Sequence, residues 1–102
     1  MIITNVILIR RYEYIMTRHE LKTLPVYFEM AWYRTKQFEL RKNDRNFQIG
    51  DEVILREWSP NDGYSGRSIL SHISCIISEP EYLADGYVAL GLSGMVNWDV
   101  IA

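Results

Sequence analysis

Five of the eleven cationic side chains in this sequence fall within residues 34–45: Arg34, Lys36, Arg41, Lys42 and Arg45. Two carboxylates, Glu39 and Asp44, interrupt them, so the window carries a local charge of +3. Guanidinium and ammonium groups at this density can meet phosphates, and a guanidinium can also stack on a base. A carboxylate among them can accept hydrogen bonds from a base edge or simply orient its cationic neighbours. A lysine desolvated beside other cations can serve as a base or nucleophile. The same composition also describes an ordinary solvated face.

The elements around this window decide what it can do. At 102 residues the chain makes one domain with a single core. Apolar residues make up 48% and charged residues 24%, as in an ordinary folded domain. Net charge is −2, so the rest of the chain carries −5 and a polyanion site must be local. Cys75 is the only cysteine, which excludes an intrachain disulfide and a cysteine-based zinc site. It reads as a small core residue and suits a reducing, cytoplasmic compartment. The apolar run Val6–Ile9 is too short to span a bilayer. Arg10-Arg11 follows that run, the reverse of a signal peptide. No membrane association, metal or cofactor is expected, and the oligomeric state is left open.

Residues 1–15 form an N-terminal extension with β-branched character, outside the main domain of residues 16–93. A first strand is expected over Arg18–Leu24, then a helix from Pro25, whose missing N–H suits a first turn, to about Arg34. Phe28 and Trp32, and likewise Tyr27 and Ala31, fall four apart and predict one broad apolar face plugging the core. In the next strand Phe38 and Leu40 point to the core, and Glu39 and Arg41 away from it. Asn43–Asn46 turns the chain, Phe47 and Ile49 anchor its return, and Gly50 precedes Asp51. Glu52–Trp58 alternates with Val53 and Leu55 on one face and Ile54, Arg56 and Trp58 on the other. After the turn Ser59–Gly63, Arg67–Ile77 carries Ile69, Ile73, Cys75 and Ile77 in phase, with His72 opposite as a surface polar residue. Tyr87–Leu92 is the last expected strand, and residues 94–102 form an apolar tail without period, packed through Trp98. The fold class is α+β, mostly β: a small barrel with one helix after the first strand.

Particular residues then carry a family resemblance. His19-Glu20-Leu21-Lys22 is followed by Thr35-Lys36-Gln37-Phe38-Glu39-Leu40-Arg41-Lys42-Asn43-Asp44-Arg45, Phe47, Gly50-Asp51, Tyr64-Ser65-Gly66-Arg67 and Gly86-Tyr87-Val88. This pattern, over residues 18–92, resembles the ASCH domains of the PUA-like superfamily, and within them a small bacterial and phage family of unknown function. Met16 offers an alternative start, since the resemblance begins just after it. The resemblance implies a PUA-like barrel with a cleft at the helix-to-strand junction. The ASCH signature Gly-x-Lys-x-x-Glu, with an arginine two residues on, places Lys36, Glu39 and Arg41 in the site. Arg34 stands where the family has glycine, so it either bears positive-φ strain or the turn differs, and it adds a cation at the cleft rim.

The implied function is a nucleic-acid-binding module of phage or prophage type, for RNA or a modified nucleotide. Arg34, Lys36, Arg41, Lys42 and Arg45 would meet phosphates, Glu39 a base edge, and Trp58 and Tyr64 would stack on bases. An alternative is a small amidohydrolase acting on acylated cytidine nucleosides, with Lys36 and Glu39 as its catalytic residues. That reading wants a threonine near the lysine and a later glutamate. Only Thr35 adjoins Lys36, and Glu57 or Glu79 is the available carboxylate. A third alternative is an accessory protein whose cleft engages a host protein. Strict alternation sets Lys36 and Glu39 on opposite faces, so a shared cleft requires the chain to leave strand geometry at Lys36.

Overall fold

The computed structural model describes residues 2–9 and 12–99, with side chains from Thr17 onward. The elements are β1 (Ile2–Ile9), β2 (Tyr12–Thr23), α1 (Pro25–Trp32), β3 (Phe38–Lys42), β4 (Glu52–Ser59), β5 (Gly63–Ile77) and β6 (Tyr87–Trp98). The strands form one sheet in the order β1-β2-β4-β5-β6-β3, curled into a half-barrel around the buried face of α1. All neighbours are antiparallel except β2 and β4, which run parallel because α1 and β3 intervene between them in sequence. The mostly β class with a single helix is as the patterning predicts.

Core residues come from the faces that alternation assigns: Val53 and Leu55 on β4, Ile69 and Ile73 on β5, Val88, Leu90 and Leu92 on β6, with Leu21, Phe28, Ala31 and Phe47. Ser71 lies between Ile69 and Ile73 on the same buried face, and its hydroxyl donates to the Val53 carbonyl at 2.9 Å. That bond satisfies a polar group that would otherwise oppose burial.

The curl matters most at the sheet's ends. In sheet order β3 is an edge strand, yet it comes round to face the end of β2. Arg41 donates to the Lys22 carbonyl at 2.9 Å and Arg45 to the Glu20 carbonyl at 2.7 Å. Pairing with β1 stops at His19, so these carbonyls of β2 lie beyond that ladder. Two arginine side chains thus span a seam that no strand pairing closes among the described residues.

Several expectations are corrected, among them that of Ile49 as an anchor, since it is exposed at 67%. The β3 phase is inverted: Glu39 is buried at 4% exposure, whereas Phe38 and Leu40 are exposed at 45% and 55%. Cations from both sides offset the buried carboxylate, and the two apolar side chains line a cleft instead of the core. Cys75 is exposed rather than in the core. A register irregularity between Ile73 and Cys75 turns the strand, so the inward phase passes to Ile76 and Ile77 is exposed. On α1, Tyr27 is exposed and only Phe28 and Ala31 are buried, a narrower apolar face than the spacing implied. Finally, residues 93–98 continue β6, with Trp98 opposite Ser68 and largely exposed. The extension likewise supplies β1 and the start of β2, which pair antiparallel. Arg10, Arg11 and residues 100–102 lie outside the described residues. No described helix is long and apolar enough to cross a membrane.

Candidate functional site

The site begins at the end of α1. Helices commonly stop on a residue in left-handed conformation, usually glycine. Here that residue is Arg34, at φ 66°. The Arg34 N–H donates to the Ala31 carbonyl at 3.1 Å and the Thr35 N–H to the Met30 carbonyl at 2.9 Å, the paired bonds of a Schellman turn. The turn thus takes its usual geometry with arginine in place of glycine. The Arg34 side chain compensates: its guanidinium donates to the carbonyls of Ala31, Trp32 and Met95 and to the Asn97 side chain. This cation therefore fastens the helix end to β6 and lies outside the cleft lining.

Beyond the turn, Lys36 precedes β3 and is not bound by its alternation. The Lys36 ammonium donates to Glu39 Oε2 at 2.8 Å and to the Phe38 carbonyl at 2.6 Å. Arg41 approaches the other carboxylate oxygen, Oε1, at 3.5 Å and reaches Thr23 Oγ1 at 3.4 Å. The three residues named by the signature thus converge, with the carboxylate buried between two cations and a net positive charge for the group. Above them opens a cleft of about 520 Å³ between α1 and β3. Its walls are apolar, from Leu24, Tyr27 and Met30 on one side and Phe38 and Leu40 on the other. Apolar walls with a few convergent polar groups are the usual composition of a small-molecule site.

The remaining predicted residues separate from this centre. Lys42 is exposed on β3 and makes no ion pair among the described residues. Arg45 is spent on the seam, with Asp44 at 3.7 Å. Trp58 and Tyr64 are directly paired across β4 and β5, outside the cleft lining. The ammonium of Lys22 lies 4.6 Å from the Trp58 ring, and the Arg56 guanidinium 3.8 Å from the Tyr64 ring.

Glu57 is already engaged. Arg67 binds both of its oxygens, at 3.1 and 3.0 Å, while lying 4.8 Å from the Trp32 ring. Hydrogen bonding from Arg67 holds the Glu57 carboxyl below the usual range, against burial, with a Ser65 hydrogen bond adding to the lowering. Glu79 lies exposed beyond β5. Neither carboxylate lines the cleft. The threonine that does is Thr23, from β2 and not beside Lys36 in sequence.

One buried pair went unassigned from sequence. His19, fully buried, shares a 2.7 Å hydrogen bond between its Nε2 and Asp51 Oδ2, and its ring lies 4.7 Å from Phe47. Asp51 also accepts from the Gln48 N–H at 3.0 Å, so it fastens the loop after β3 to the core. The signal was present: His19 shares strand parity with Leu21 and Thr23. No group of three or more metal-ligating side chains exists among the described residues.

A family described as a domain of unknown function (DUF3850) matches residues 18–92. A curated protein of Escherichia phage P2, described as an uncharacterized 12.9 kDa protein in the GpA 3′ region, is 36% identical over 72 residues. The aligned stretch is 71% of this chain and 64% of the phage protein, so the chain spans somewhat under two thirds of that relative. The family match takes in β3, α1 and every residue of the Lys36–Glu39–Arg41 cluster. The chain belongs to the DUF3850 family of domains of unknown function.

Proposed function

We propose that this is a nucleic-acid-binding module of PUA-like, ASCH type, taking one base of an RNA or a modified nucleotide into the cleft. One observation carries the reading: a buried carboxylate held between Lys36 and Arg41 at the floor of an apolar, partly aromatic cleft of about 520 Å³. Glu39 offers acceptors for an amino or imino N–H on a base edge, and Lys36 and Arg41 offer donors and positive charge. Tyr27 and Phe38 supply exposed rings for stacking, worth about 1–3 kcal/mol per base where the contact is full. The proposed setting is the bacterial cytoplasm, in keeping with a phage relative and an exposed free cysteine.

The test is titration with nucleosides and short RNAs across salt concentrations. Affinity should fall with salt, with a slope of about −0.7 for each phosphate contact on a single strand. Lys36→Ala and Arg41→Ala should each weaken binding. Absent binding, or affinity unchanged in both variants, overturns the reading.

A second reading is supported by the hydroxyl of Thr23, which the fold brings within 3.4 Å of Arg41 beside Lys36 and Glu39. A lysine, a threonine and a carboxylate in one cleft suit a small amidohydrolase acting on acylated cytidines. Release of the acyl group by wild type, abolished by Lys36→Ala, would establish it. No release by wild type removes it.

A further inference from the structure

We propose that the outer face of the sheet, beside the cleft mouth, is a subsite for a second nucleotide, so that the ligand is a single-stranded chain rather than a free nucleoside. This extends the nucleotide reading of the cleft and rests on it.

Lys22 and Arg56 are direct partners in the parallel register of β2 and β4. Trp58 and Tyr64 are direct partners across β4 and β5. Glu57 between Arg56 and Trp58 is buried, so the two flanking residues share the outer face. The Lys22 ammonium lies 4.6 Å from the Trp58 ring and 6.0 Å from that of Tyr64, and the Arg56 guanidinium 3.8 Å from Tyr64.

Like charges directly opposite on neighbouring strands repel. Among the described residues no carboxylate pairs with Lys22 or Arg56, and the nearby Glu57 is taken by Arg67. The two cations are left with ring faces alone, which is a position made for an anion. A phosphodiester between them relieves the repulsion. The attached base then stacks on the Arg56 guanidinium, backed by Tyr64. Lys22 also belongs to the cleft lining, and its carbonyl receives the Arg41 hydrogen bond, so the two subsites share a residue. The aromatic backing favours a nucleic acid over an acidic peptide, for which the charges alone would suffice.

The experiment compares the four mononucleotides with mixed-sequence RNA and DNA hexamers, on wild type and on Arg56→Gln/Tyr64→Ala. Hexamers should bind wild type about tenfold more tightly than mononucleotides. The double variant should lose that gain and keep its mononucleotide affinity. The RNA and DNA arms tell which backbone the subsite accepts. Equal affinity for both lengths, a gain that survives the double substitution, or displacement of hexamers by polyglutamate at equal charge overturns the subsite. In those cases mononucleotide binding that depends on Lys36 still stands for the cleft. Loss of binding at every length removes both readings, and an unchanged thermal midpoint shows that the double variant is folded.

Discussion

Lys36 and Glu39 meet at 2.8 Å although they are three residues apart around the start of a strand. Regular alternation forbids this contact, and the Schellman turn at Arg34 permits it by delivering Lys36 before β3 begins. The consequence for Glu39 is a carboxylate almost fully withdrawn from water and, among the described residues, paired with Lys36 and Arg41.

Removing that carboxylate should cost stability as well as binding. Glu39→Ala leaves two cations facing each other across a small void. Removing one partner of a fully buried pair costs about 3–5 kcal/mol. Arg41 is partly exposed, so we expect a smaller loss of about 2 kcal/mol, read from urea unfolding midpoints. The double variant Glu39→Gln/Lys36→Met, which removes both charges, should recover much of it. Equal losses in the two variants would show that the charges are not what holds β3 in place.

Arg34 carries two opposed contributions that substitutions can separate. Its left-handed backbone is unfavourable for any side chain, while its guanidinium caps three carbonyls. Arg34→Ala keeps the backbone cost and loses the cap, whereas Arg34→Gly loses both. Arg34→Gly should therefore be more stable than Arg34→Ala by about 1 kcal/mol. Denaturant titration of the two variants measures the difference directly, and equal stabilities would contradict the assigned turn.

Alternation made much of the core legible, because Val53, Leu55, Ile69, Val88 and Leu90 follow strict period two on strands with one buried face. It failed at Glu39, where a charged residue takes the inward position because Lys36, from the turn before β3, and Arg41, two residues along the strand, offset its charge. Pattern reading scores a residue by its own polarity and so assigned Phe38 and Leu40 to the core. The signature motif located the cleft residues but could not show that Arg34 is consumed by the helix end. His19 and Asp51 escaped for a different reason: the burial of each depends on a partner 32 residues away.

The irregularity in β5 makes a chemical prediction about Cys75. Were the strand regular, its thiol would join Ile69 and Ile73 in the core and resist modification. Facing outward, it should react with a thiol reagent in the native state, at one equivalent and without prior unfolding. Labelling that appears only in denaturant would place it back in the core. The side chain also leans over Gly91, where an added Cβ would collide with its sulfur and meet Ser74 Oγ at 3.2 Å. Gly91→Ala should accordingly be destabilising, and Gly91→Ala/Cys75→Ala less so.

The Glu57–Arg67 pair sets an acid limit on stability. Hydrogen bonding from Arg67 lowers the Glu57 carboxyl in the folded protein relative to the unfolded chain. A carboxyl lowered on folding stabilises in its ionised form, so the contribution is complete above the ordinary glutamate value, about 4.3, and is lost as pH falls through the lower folded value. Unfolding free energy should decline over that interval, and Glu57→Gln should show a shallower decline from a lower starting stability near neutrality. The pair lies under Trp32, with the guanidinium 4.8 Å from the ring, so tryptophan emission should follow the same titration. If wild type and Glu57→Gln lose stability in parallel between pH 5 and pH 3, the acid sensitivity does not come from this pair.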